Sequence, residues 1–196
     1  MRTLIWILSG ILGFLFLLGA IGQLKRSAAT PASKKQPKAQ EQWITFVSSD
    51  GEYSVLMPAQ PIEKEQLLQA QTGKVTMKSA GVDHRTDVGV VSYTICYNDF
   101  PVSLGDGEEF LTLAGDQMAE TMGRIRAKKS IKLQNASGRE YEIEHENGKA
   151  LAATRCYVRG HRMYQTIALV PIRAGFSSNT WRFLDSFQFE TNNINR

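Results

Sequence analysis

The chain has 196 residues, 42% of them hydrophobic and 21% charged, a composition that permits a real core and excludes wholesale disorder. All 19 acidic residues lie at or after Glu41, while Arg2, Lys25, Arg26, Lys34, Lys35 and Lys38 precede it. Residues 1–40 therefore carry +6, and the remainder, with 17 basic and 19 acidic residues, carries −2, which excludes the basic field a nucleic-acid-binding domain needs.

From Leu4 to Gly22 the chain reads LIWILSGILGFLFLLGAIG, 19 residues without a charge. At 1.5 Å per residue such a helix matches the ~30 Å core of a bilayer, and it has no polar face to offer water. The segment is expected to enter the membrane, as a retained anchor or as a signal peptide cut near Ala20-Ile21-Gly22 or Ser27-Ala28-Ala29. Lys25, Arg26, Lys34, Lys35 and Lys38 behind it argue for a cytoplasmic domain by the positive-inside tendency. A short anchor ahead of a compact domain argues for export, and an extracytoplasmic domain is the reading adopted here. Residues 23–41, rich in Ala, Ser, Pro, Lys and Gln, lack hydrophobic periodicity and are expected to form a basic linker.

From residue 42 to 191 the sequence predicts one α+β globular domain, a largely antiparallel sheet with two flanking helices, and a polar tail over 192–196. WITFVS and EYSVLMP flank Ser49-Asp50-Gly51 as strand, turn and strand; further strands are expected near 62–70, 74–84 and through VGVVSYTICYN, the five forming a meander. Between Gly107 and Met122 the period becomes helical, with Phe110, Leu111, Leu113, Ala114, Met118 and Met122 on one face; the methionines read as core.

Three strands follow. Asn147-Gly148 signals a hairpin that sets Glu140 opposite Arg155, and a turn over Gln134 to Gly138 is expected to set Lys132 against Glu140, Lys128 against Glu144 and Arg126 against Glu146. The run RIRAKKSIK then reads as half of a charge ladder with EYEIEHE rather than as a ligand patch. HRMYQTIALVP makes the last long strand. A short helix capped by Ser178 or Asn179 buries Trp181, Phe183, Leu184 and Phe187, and FQFE closes the domain.

GEYSVLMP at 51–58, GREYE at 138–142, RCYVRGHRMYQ at 155–165 and FLDSF at 183–187 resemble bacterial membrane-tethered domains related in fold to PsbP and Mog1. The resemblance covers about 43–190 and rests on turn and core positions. It implies an antiparallel sheet flanked by helices and used for protein contacts; neither the photosystem role of PsbP nor the GTPase partner of Mog1 carries over.

No local motif for chemistry stands out. His84, His145 and His161 have no metal-ligand spacing, and no nucleophile elbow or phosphate-cradling loop is present; Leu104-Gly105-Asp106-Gly107 reads as a helix entry. Cys96 and Cys156 read as buried thiols, or as a single bridge between neighbouring strands if the domain lies in an oxidising compartment. No catalytic residue, metal or cofactor is expected. The expected role is a membrane-tethered interaction module, with Tyr93, Tyr97, Tyr157 and Tyr164 or the long loops as contact surface. Its expected partners are the bilayer, through residues 4–22, and a protein; the alternative is a small-molecule or metal-binding domain, conceivably a hydrolase.

Overall fold

A computed structural model describes residues 42–48, 50, 52–70, 73–101, 103–105 and 107–190. The expected membrane segment, linker and tail lie outside the described residues, among which no helix is long and apolar enough to cross a membrane.

The strands fall into two antiparallel sheets rather than one. β1 (Ile44–Val47), β2 (Tyr53–Met57) and the short β10 (Gln188–Phe189) form the smaller sheet, in the order β1-β2-β10. The larger has seven strands: β3 (Ile62–Ala70), β4 (Gly73–Thr86), β5 (Gly89–Asp99), β6 (Arg124–Leu133), β7 (Ala136–His145), β8 (Ala150–Arg159) and β9 (Arg162–Pro171). Their order is β3-β4-β5-β9-β8-β7-β6. The expected five-strand meander is thus corrected: Pro58 and Pro61, which break the strand pattern, separate the first hairpin from the large sheet. Central strands β5, β8 and β9 are covered on both faces, which explains why VVSYTICY and MYQTIALV read as apolar runs rather than alternations.

One face carries α1, a helical run over Glu108–Phe110, Leu111–Gly115 and Asp116–Met122 whose middle turn is π-helical. Phe110, Leu111, Ala114, Met118 and Met122 pack there on Tyr141, Ile143, Ala152, Cys156, Met163 and Ile167. Gly115 has an ordinary helical φ of −66°, yet a Cβ on it would stand 2.7 Å from the Tyr141 hydroxyl. The small residue is there for space. The other face carries the small sheet and α2 (Ser178–Asp185), capped by Ser177 in a capping box with Thr180, one residue earlier than expected. Phe183, Leu184 and Phe187 are buried as expected; Trp181 is only partly so.

The β7–β8 register has Glu140 opposite Arg155, as the hairpin signal implied. The β6–β7 register differs from expectation by three residues. Gln134 and Asn135, at φ 46° and 69°, close a two-residue turn with Leu133 opposite Ala136, so Glu140 faces Lys129 and Glu144 faces Arg124. A bulge at Arg126 makes this possible: it switches the strand's phase, leaving Ile125 on the helix face while Ile131 and Leu133 pack on the other. The expected pairings of Lys132, Lys128 and Arg126 assumed an unbroken strand and are replaced by these.

Candidate functional site

The tyrosines singled out from sequence form part of the core. Along one row of the large sheet, Lys78 pairs with Tyr97, Tyr97 with Tyr164, Tyr164 with Tyr157 and Tyr157 with Gly138, so these residues share the face beneath the small sheet. Tyr97, Tyr164 and Tyr157 are 4%, 1% and 3% exposed, and Tyr93, on the same face, 2%. Tyr157 stacks on Phe187 with ring centroids 5.5 Å apart, and Tyr53 packs edge-on against both Tyr97 and Tyr164 at 6.0 Å. The expectation that the four rings offer contact surface is corrected by this burial.

At the end of the row the rings meet an ionic network built on Arg162. The guanidinium lies 4.3 Å from the centroid of Tyr97, within cation–π range. It donates to both Asp99 oxygens at 2.5 and 2.8 Å, to Asp50 at 3.2 Å, and to Glu52. The Tyr97 hydroxyl donates to Asp50 and the Tyr164 hydroxyl to Glu52, the latter at 2.9 Å. Burial alone would raise the Asp50 pKa, but the hydrogen bonds from Ser48, Tyr97 and the Glu52 backbone, with the charge of Arg162, outweigh it and hold the carboxyl below its ordinary 3.8. Burial, then the hydrogen bond to Asp50, pushes the Tyr97 phenol up, so that ring donates a proton it does not give up. The network fastens the β1–β2 turn of the small sheet onto the large one. No sequence spacing reveals it, because Arg162 and Glu52 are 110 positions apart.

Beside it opens a cleft of about 370 Å³ lined by Ser48, Tyr53 and Tyr97 on one side and by Glu63, Lys64, Glu65, Lys78 and Ser79 of the β3–β4 edge on the other. Its lining can hydrogen-bond and carries both signs of charge. Sequence reading found only the Tyr97 side of it.

A second charged row crosses the far edge of the same face. Glu140, 6% exposed at its side chain, meets Lys129 at 2.9 Å and Arg155 at 2.6 Å, and Arg155 meets Asp185 of α2 at 2.7 Å. Burial again opposes ionisation of Glu140, and the bonds from Lys129 and Arg155 hold it below its ordinary 4.5. On the helix face Lys128 pairs with Asp116 at 2.7 Å and Arg139 with Glu108 at 2.8 Å. The basic run is mostly one side of a cross-strand and strand–helix ladder.

Among the described residues no group of His, Cys, Asp and Glu is arranged to hold a metal ion. His145 is 9% exposed, with Nδ1 2.6 Å from the Met122 carbonyl oxygen; His84 lies on β4 and His161 in the β8–β9 turn. The three are not brought together. Cys96 and Cys156 are free and buried, and burial pushes the Cys96 thiol up to about 12. Both pair with Gln165 on intervening β9, so their strands are not neighbours and their Cα atoms stand two strand spacings, ~9.6 Å, apart, beyond the reach of a disulfide. Met118 and Met122 are core, as expected.

No protein-family model matches the chain, and no curated protein matches it. Among solved structures it is similar to a Pseudomonas aeruginosa protein of unknown function, at 10% identity and a TM-score of 0.36, over 66% of this chain and 83% of that one. It is also similar to cyanobacterial PsbP from Synechocystis, at 11% identity and a TM-score of 0.42, over 82% of this chain and 99% of that one. The resemblance to PsbP suggested by the sequence motifs thus recurs, at a level that carries no statement about function.

Proposed function

We propose that this chain is a membrane-tethered, non-catalytic interaction module that takes an extended segment of a protein partner along β3. The observation that carries the reading is the contrast between the two edges of the large sheet. A sheet edge presents unpaired N–H and C=O groups that can template another strand, and proteins blunt it with bulges and charge. β6 is blunted in both ways, with its bulge at Arg126 and its Arg and Lys side chains. β3 also carries charge, at Glu63, Lys64 and Glu65, but it pairs with β4 over nine successive positions without a bulge and leaves Ile62 69% and Leu67 59% exposed. Strand addition takes affinity from main-chain hydrogen bonds and specificity from side-chain sites beside the edge. The adjoining cleft, with Lys64, Lys78, Glu63 and Glu65, supplies such a site. The tether is supported by the uncharged segment from Leu4 to Gly22.

A photo-crosslinking amino acid at position 62 or 67 of the full tethered chain is expected to give one discrete protein adduct, and none at the exposed Leu113 on the helix face. Lys78→Glu in the cleft should abolish it. Equal labelling at all three positions, or an adduct indifferent to Lys78→Glu, would overturn the reading. A second reading, a small-molecule-binding domain, is favoured by the cleft volume, which falls within the ~300–1,000 Å³ of ligand sites. Its charged lining favours a polar ligand there, and competition of such a compound with the crosslink would select it.

A further inference from the structure

We infer that the end of the domain built from the β4–β5 turn and the chain after β9 rests on the lipid bilayer, so that the domain is oriented on the membrane as well as tethered to it; this rests on the tethered reading above. Val88, Val90 and Ile172 are 51%, 43% and 43% exposed, well above what a buried apolar side chain shows. They form one patch, because the space beside Gly89, between the two valines, is filled by Pro171, whose ring carbon would lie 2.8 Å from a Cβ there, and Ile172 follows Pro171. The Ile172 N–H donates to the Lys149 carbonyl at 3.1 Å, which fixes the β7–β8 turn beside the patch. Exposed Arg85, Lys149 and Arg173 fringe it, with Asp87 and Glu146 at the same end. An apolar centre with cationic side chains around it suits the boundary between acyl chains and anionic head groups.

The direction from which the chain enters selects the bilayer over other occupants. The described chain begins at Gln42, and Trp43 packs against Tyr93 with centroids 5.5 Å apart; Tyr93 is three residues along β5 from Val90. The entry point therefore lies toward the patch and away from the Arg162 network, which sits past the opposite end of β5 at Asp99. Nineteen residues, 23–41, join it to the apolar segment, a span of at most ~65 Å even at full extension. A patch so tethered meets the membrane at high effective concentration, so three side chains and a cationic fringe suffice. Leu67 lies toward the other end of the β3–β4 hairpin, opposite Thr76, so that part of the β3 edge stands away from the patch.

The test uses the full chain in nanodiscs of phosphatidylcholine with a minority of phosphatidylglycerol. Single cysteines at Val88, Ile172 and, as control, Leu67 carry a polarity-sensitive fluorophore. Labels at 88 and 172 are expected to shift to the blue and to lose intensity when the lipids carry a quencher, while the label at 67 does neither. Water-like, unquenched emission at 88 and 172 from a chain that co-elutes with the discs would overturn the docking and leave the tether standing. A chain that does not co-elute with the discs would overturn both.

Discussion

The two faces of the seven-stranded sheet are filled by opposite means. The helix face is aliphatic and sulfur-rich, with Met118, Met122, Met163, Leu111 and Ile143 interdigitating around small residues such as Ala114 and Ala152. The other face is aromatic: Tyr53, Tyr93, Tyr97, Tyr157, Tyr164, Phe183, Phe187 and Phe189 fill it, and its hydroxyls reach an ionic rim. A helix presents a stripe that adaptable side chains can match, whereas two sheets must be kept in register over a broad contact, and rings that end in hydrogen-bonding groups do this by tying their tips to fixed partners. The helix face is thus held by aliphatic packing with two strand–helix ion pairs, Lys128–Asp116 and Arg139–Glu108, at its margin, and the aromatic face by ring packing with the larger Arg162 network at its boundary.

The largest effects should come from deletions in the two cores. Phe187→Ala and Met118→Ala, both at fully buried sites, are expected to cost about 3–5 and 2–5 kcal/mol in urea unfolding. A Phe187→Ala loss below that of an exposed substitution would show the aromatic face to be dispensable.

Arg162→Met should cost less, about 2 kcal/mol after allowing for its 16% exposed side chain, by leaving Asp50, Glu52 and Asp99 without their shared cation. It also sharpens the comparison through pH. Asp50 and Glu140 have folded-state pKa values below their ordinary 3.8 and 4.5, so each contributes stability that is fully present above those values and is lost as pH falls through the lower folded value. The wild type should lose stability progressively below about pH 4.5, and Arg162→Met should show a shallower loss. Identical acid profiles for the two proteins would remove the electrostatic half of the contrast. The smallest effect concerns the thiols: Cys96 and Cys156 should not react with an aromatic disulfide reagent in the native state and should both react in denaturant, without change on adding reductant. Native reactivity of either would show the sheet opening at β5 or β8.

Most elements were legible in the sequence because their signals are local. The helical period over 108–122, the Asn147-Gly148 turn and the buried methionines need only neighbouring residues to be recognised. Register across β6 was not, because a bulge has no residue signature and Gln134-Asn135 closes a tight turn without glycine. The division into two sheets was missed because period-two alternation is the same in either. Least legible was the site: Asp50 reads as a turn residue and Arg162 as one arginine among several, and only the fold places them together across 112 positions.

Gly115 and Tyr141 are coupled by the space between them. Glycine inside a helix costs about 1 kcal/mol relative to alanine, and nothing in the backbone at 115 asks for it; the tyrosine hydroxyl, which donates to Asp116 at 3.0 Å, does. Tyr141→Phe would free position 115 to become alanine, whereas Gly115→Ala made first would have to push the hydroxyl off Asp116. The order of substitution is written into 2.7 Å of space.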